Sequence, residues 1–420
     1  MNKANILYAQ SGGPTAVINT TACGLIETAR KHPERIHKIY AAHNGILGVL
    51  NEELIDTGSE SAENIAALGH TPASAFGTCR YKLKGIDENR AQYQRLIEVF
   101  KAHNIQCFFY NGGGDSQDTT LKIAQLSATF GYPLNCIGIP KTIDNDLPLS
   151  DCCPGYGSVA KYIAISTREA ALDVAAMCLT STKIFVLEVM GRHSGWIAAA
   201  AGMAAQSKED APHLILFPEV PWDEAKVLAK VKEQVHKQGY CVIVASEGLR
   251  DQDGRFLSES GAHDAFGHAQ LGGVAPLIAS IIKDKLGYKY HWAVADYLQR
   301  SARHIASKTD VEHAYALGKK ALELALDGYN AVMTTIVRLS DEPYSWKVGT
   351  AKLEDVANQE NTLPKEYIDQ SGYGISAACK NYIRPLIEGE DYPPYENGLP
   401  NYVKMKKTLI DKRLEKFDHI

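Results

Sequence analysis

The chain predicts an α/β fold of mostly parallel sheet with helices packed on both faces. Short apolar, β-rich runs alternate with longer amphipathic segments along most of its 420 residues. Four of the runs end in polar turns, three of them glycine-rich, that open the next segment, the place where such folds bind ligands. Hydrophobic content of 45% and charged content of 22% are those of a globular protein.

The strands are expected at Asn5–Ala9, Lys38–Ala42, Gln106–Tyr110, Cys136–Ile139, Ile184–Val189, Leu214–Phe217, Cys241–Ala245 and Ala331–Val337. Between them, helices are expected at Ala16–Lys31, Asn89–His103, Ser116–Phe130, Ser158–Met177, Gly195–Gln206, Asp223–Gln238, Ala275–Leu286 and Val311–Asp327. From about Tyr344 the sequence is richer in Tyr, Pro and charge, as in Tyr392-Pro393-Pro394-Tyr395, and predicts packed surface loops with a terminal helix.

Composition removes several functional classes. A net charge of −5 leaves no basic excess for nucleic acid or an anionic membrane. The nine cysteines are an odd set without metal-ligand spacing, and several lie in apolar stretches, so they predict reduced core thiols. No HExxH-type cluster occurs among fourteen histidines. The N-terminus lacks a signal-peptide pattern, and the longest small-apolar run, Ile197–Ala205, is far shorter than the ~20 residues a membrane helix needs. A soluble, cytoplasmic protein is the expectation.

The four turns carry the chemistry. Gln10-Ser11-Gly12-Gly13-Pro14-Thr15 lets backbone N–H groups approach a phosphate, although a structural glycine turn has the same look. Asn111-Gly112-Gly113-Gly114-Asp115-Ser116 has three glycines, which mark close backbone approach or a positive-φ turn, and Ser116 is placed to cap the next helix. Pro140-Lys141-Thr142-Ile143-Asp144-Asn145-Asp146 sets two carboxylates beside a cation. Transfer of a phosphoryl group to an alcohol needs that set, and a solvated Asx turn is the bland alternative. In Glu188-Val189-Met190-Gly191-Arg192-His193, Arg192 offers a bidentate fork for phosphate, and His193 reads more readily as a packed or capping residue.

In this order and at these separations, the motifs resemble those of the phosphofructokinase family: an N-terminal glycine loop, GGD(G/D)S, PxTIDND and EVMGR. The resemblance implies two Rossmann-like lobes with the active site in the cleft between them. One lobe would comprise residues 1–155 completed by about 300–420, and the other residues 156–299. It implies Asp144 as the base at the C1 hydroxyl of fructose 6-phosphate, Asp146 in support and Thr142 hydrogen-bonding the substrate. Met190, Gly191 and Arg192 would line the sugar and phosphoryl site, and Glu247 would bind sugar hydroxyls. Gly13, Arg80 and Ser116 would serve the donor. Gly267-His268-Ala269-Gln270-Leu271-Gly272-Gly273 looks like a phosphate-binding GHIQRGG segment, but Leu271 replaces its arginine. The clamp is therefore assigned to Tyr297 and Arg300 of Tyr297-Leu298-Gln299-Arg300, and His268 to structure. Lys183 would reach a neighbouring subunit of a homodimer or homotetramer, with Lys289 a weaker candidate for the same phosphate.

Two charged residues imply pyrophosphate as the donor. Asp115 and Lys141 stand where ATP-dependent members of the family have glycines. A carboxylate about 4 Å from a nucleotide α-phosphate costs about 4 kcal/mol at an effective dielectric near 20, on the order of a thousandfold in affinity. Lys141 would hold the leaving group or the moving phosphoryl. The alternatives are an ATP enzyme in which Asp115 is an extra metal ligand, and a non-catalytic regulatory paralogue. The family's Mg²⁺-binding aspartate is Gly114 here, and Asp115 is expected to take over part of the metal shell. The step is expected to be reversible, yielding fructose 1,6-bisphosphate and phosphate, with weak or no nucleotide control.

Overall fold

The computed structural model describes residues 3–263 and 269–418. The chain starts as β1 (Ala4–Gln10), α1 (Ile18–Arg30), β2 (Ile36–Ala42), α2 (Gly45–Leu50), β3 (Leu54–Asp56), α3 (Ala62–Ala67), α4 (Arg90–Ala102), β4 (Ile105–Gly112), α5 (Gly114–Thr129) and β5 (Asn135–Pro140). It continues through α6 (Tyr156–Met177), β6 (Ile184–Val189), α7 (Trp196–Ala200), β7 (Leu214–Leu216), α8 (Glu224–Gln238) and β8 (Cys241–Ser246). A short pair, β9 (Glu259–His263) and β10 (Ala269–Leu271), precedes α9 (Val274–Leu286), β11 (Tyr290–Val294) and α10 (Asp296–Ser301). Then α11 (Lys308–Leu326), β12 (Val332–Asp341) and β13 (Tyr344–Lys352) follow.

These strands make two large sheets. One has the order β13-β12-β5-β4-β1-β2-β3 and the other β11-β6-β8-β7. All pairings in the second sheet are parallel, and in the first only the outer pairs β2–β3 and β12–β13 are antiparallel. Central strands are buried on both faces, which is why β1 and β8 read as near-continuous apolar runs. α1 and α11 lie against each other so closely that a methyl group on Gly24 or Gly318 would overlap backbone of the facing helix.

Register decides what meets at the strand ends. Gln10 pairs with Asn111, and Gly112 with Pro140, so the first three of the four polar turns leave the sheet side by side. In the second sheet Val189 pairs with Ser246 and Val294 with Glu188. That brings Met190–Arg192, Glu247 and the start of α10 together.

Four features depart from the sequence reading. Tyr290–Val294 and Tyr344–Lys352 are strands; the second pairs antiparallel along β12, where loops were expected. No terminal helix forms: residues 401–418 run without helix, and the last α-helix is Ala377–Ile383. Ser116 caps nothing, because α5 already begins at Gly114. The helix expected over Gly195–Gln206 is α7 followed by a tighter 3₁₀ turn, Ala201–Ala204. Among the described residues the nine cysteines are unpaired, eight of them buried. No helix among those residues is long and apolar enough to cross a membrane.

Candidate active site

The glycine loop after β1 is held open by its neighbours. Gly12, at φ 71°, donates its N–H to Cys79 O at 3.1 Å, and Thr78 Oγ1 donates to Gly12 O at 2.8 Å. Residues 77–82 are thereby strapped to the loop, and Arg80 is placed above it. A methyl group on Gly13 would come within 2.8 Å of an Arg300 guanidinium nitrogen and 3.9 Å of an Arg80 nitrogen. Lys141 completes the group from β5, donating through Nζ to Gly13 O at 2.7 Å.

Three cations thus converge on one glycine. Lys141 is only 5% exposed. Burial lowers its ammonium to about 8, with Arg300 and Arg80 pushing the same way and Asp144 and Asp146 opposing them. Charges packed this closely favour a polyanion between them.

The acidic pair owes its direction to Asn145. At φ 54° it sits in the left-handed region that asparagine tolerates. Its side chain donates to Tyr382 Oη at 2.9 Å and accepts from Cys153 N at 2.9 Å. With the middle residue anchored inward, Asp144 and Asp146 both line one small cavity. The cavity is lined by those two residues together with Arg192, His193, Ser194 and the segment Glu360–Thr362.

Asp144 touches the cavity but is otherwise surrounded by protein. Burial pushes its carboxyl up to about 7, with Asp146 and Glu247 pushing the same way and Lys141 and Arg192 opposing. Thr142 Oγ1 accepts from Asp144 N at 3.0 Å and also bonds the Asp146 carboxylate. Burial raises Asp146 as well, helped by Glu360. Its Oδ1 is buried with no protein partner.

Across the cleft, Glu247 accepts from Gly191 N at 3.3 Å, and Ser246 Oγ donates to Gly191 O at 2.6 Å. Gly191, at φ 131°, leaves a Cβ no room beside Ser194 O. Gln299 Oε1 accepts from Met190 N at 3.4 Å, and this ties α10 to the strand end. The Arg300 guanidinium stacks 3.8 Å above the centre of the Tyr297 ring. Glu188 is structural: its oxygens accept from Gly273 N and Ala275 N and hold the start of α9.

Gly13, Arg80, Lys141, Thr142, Asp144, Asp146, Met190, Gly191, Arg192, Glu247 and Arg300 therefore gather around one cleft. Asp115 and Ser116 lie in the first turn of α5 beside it. Lys183 does not join them in its own chain. It precedes β6, about 20 Å of strand from Met190, and donates to Cys178 O, while Lys289 donates to Ser181 Oγ at the same far end. Gly267 and His268 lie outside the described residues. Sequence reasoning missed Lys82, whose Nζ lies 2.7 Å from Asp115 Oδ1, and Glu360 beside Asp146. Lys82 follows Arg80 by two residues and could have been suspected; Glu360 lies beyond every motif. Among the described residues no three His, Cys, Asp or Glu side chains are already gathered as a metal site.

The phosphofructokinase family profile matches residues 5–325. A Halomonas elongata protein called pyrophosphate–fructose 6-phosphate 1-phosphotransferase is 63% identical over 417 residues, covering 99% of this chain and 100% of the relative. One of the same name from Methylococcus capsulatus is 63% identical over 414 residues, 99% of each. The crystal structure of a pyrophosphate-dependent phosphofructokinase from Marinobacter aquaeolei matches with a TM-score of 0.92 at 56% identity, over 99% of this chain and 100% of that one. With a match from the first strand through most of α11, and relatives aligned end to end at such identity, the chain belongs to the phosphofructokinase family.

Proposed function

We propose that the chain catalyses reversible phosphoryl transfer from pyrophosphate to the C1 hydroxyl of fructose 6-phosphate, giving fructose 1,6-bisphosphate and phosphate. The observation that carries this reading is the buried Lys141 ammonium, bonded to Gly13 O beside Arg80 and Arg300 and on the same turn as Asp144. The sugar hydroxyl oxygen attacks the near phosphorus, the bridging P–O bond breaks, and the hydroxyl proton passes to Asp144. A base poised near neutrality suits that step. Lys141 and Arg192 neutralise charge on the transferring oxygens. Glu247 and Met190–Arg192 position the sugar, while Tyr297 and Arg300 hold its phosphate. Arg300, lying over Gly13, also faces the group in transit.

Mg²⁺ fits the acidic side of the cleft. The unpartnered Asp146 Oδ1 is the group to hold it, with Glu360 lining the same cavity. Bound there, the ion supplies charge neutralisation to the phosphate oxygens. Asp115, the metal residue suggested by sequence, already has a cation in Lys82. A side chain at Gly114 would meet only Leu147 Cδ2, at 4.0 Å, so crowding does not explain the missing aspartate.

Residues 1–155 with about 300–420 are assigned to the donor and metal, and 156–299 to the sugar phosphate. Lys183, at the wrong end of β6 for its own site, is assigned to a neighbouring subunit of a homodimer or homotetramer. Purified protein with fructose 6-phosphate and Mg²⁺ should form the bisphosphate when offered pyrophosphate and not when offered ATP. Turnover with ATP alone would replace the donor assignment.

A further inference from the structure

Asp115 raises a physical difficulty that Lys82 resolves. A bare carboxylate in the first turn of α5 repels every phosphate chain entering the groove, the short donor as well as the long one, because a single charge acts over the whole pocket. Charge alone therefore cannot sort pyrophosphate from a nucleotide. In the structure the carboxylate is not bare: Lys82 Nζ stands 2.7 Å from its Oδ1.

The strap carrying Lys82 is the one bonded to the glycine loop through Thr78 and Cys79. The ion pair thus links the segment strapped to Gly12 to the first turn of α5. Such a pair is close to neutral, and its field dies away with distance faster than that of a lone charge. Asp118, one turn along α5, also feels Lys82 but has its own cation, Lys122, at 2.5 Å. Both members of the Lys82–Asp115 pair are partly open to water, 44% and 35% exposed, so its contribution to stability is small. Its effect falls on the anion beside it.

We propose that Lys82 is a specificity-determining residue. It masks Asp115 toward pyrophosphate, while the paired side chains fill the groove where a nucleotide would extend. The proposal rests on the pyrophosphate reading above.

The experiment is a double-mutant cycle on the full chain, following pyrophosphate KM in turnover and its Kd by calorimetry. Lys82→Met should raise both by about tenfold and leave the fructose 6-phosphate KM nearly unchanged. Adding Asp115→Asn to Lys82→Met should restore pyrophosphate affinity to within about threefold of the unmodified protein. Lys82→Arg should keep it. A double variant as weak as Lys82→Met would overturn the proposal, since Lys82 would then contact the donor directly; so would a Lys82→Met protein with unaltered affinity. If the unmodified protein uses ATP and not pyrophosphate, the donor assignment fails and this inference with it. If it uses pyrophosphate and the two positions show no coupling, this inference alone fails.

Discussion

Asp144 and Lys141 lie three residues apart, and burial brings their titrations close together. The carboxyl rises to about 7 and the ammonium falls to about 8. The base must be ionised and the lysine charged, so kcat should fall as pH drops through about 7 and fall again as pH rises past about 8. A pH–rate profile flat from pH 5 to 10 would remove both assignments. Asp144→Asn should cut kcat by about 10²- to 10⁴-fold with fructose 6-phosphate binding retained, as read by steady-state kinetics and calorimetry. The same substitution should raise Tm above neutral pH. A carboxyl whose folded pKa exceeds its unfolded one holds its proton more tightly when folded, so stability falls as pH climbs between the two values. The Tm difference between variant and parent should therefore vanish near about pH 4 and be complete above pH 7. Equal melting temperatures at pH 8 would show that the site does not strain this group.

At the scale of an element, the turn after β5 depends on Asn145 for its shape. Asn145→Ala would replace a residue that tolerates φ 54° with one that does so less well, and would remove the bonds to Tyr382 Oη and from Cys153 N. A loss of about 2 to 3 kcal/mol in denaturant unfolding is expected, together with a lower kcat because both aspartates turn with the backbone. Stability unchanged within error would mean that the turn is set elsewhere. This turn was also the most legible part of the sequence, since two carboxylates and a lysine directly after an apolar run have few other uses. The same holds for β1, β4, β5, β6 and β8, whose buried runs carry a strong signal. β11 and β13 were missed because they are edge strands: all five β11 residues are at least partly exposed, and no residue of β13 is fully buried. Lys82 was missed although it follows Arg80 closely, because its meaning comes from Asp115, more than thirty residues away and brought close by the β1–β4 pairing. Lys183 is legible only through resemblance: in its own chain it lies before β6, bonded to Cys178 O, far from the cleft it is proposed to serve in a neighbouring subunit.

Across the molecule, the last segment works as a strap. Leu409 bridges to Ile55 on the outer strand β3, and Thr408 O and Ile410 N bond Asp56 and Leu54. Four residues later Arg413 N and Leu414 N bond Glu52, a fully buried carboxylate that also bonds His103 Nε2. Ending the chain before Thr408 would uncover a sheet edge and leave Glu52 short of two donors, so a loss of about 3 to 5 kcal/mol and a greater tendency to aggregate are expected. Chemical denaturation and light scattering of the truncated protein would check this; parent-like stability would show the strap to be dispensable.

The placement of β12 sets an order of assembly during synthesis. On the ribosome a chain emerges from its N-terminus, and what has already emerged folds first. β6, β7, β8 and β11 lie within one stretch of sequence and can pair as soon as that stretch is out. β5 must wait beside an open edge until the polypeptide has grown almost two hundred residues further and delivered β12. The nascent protein thus has a complete four-stranded sheet while the seven-stranded one is still open at β5, and that interval is when a chaperone has most to guard.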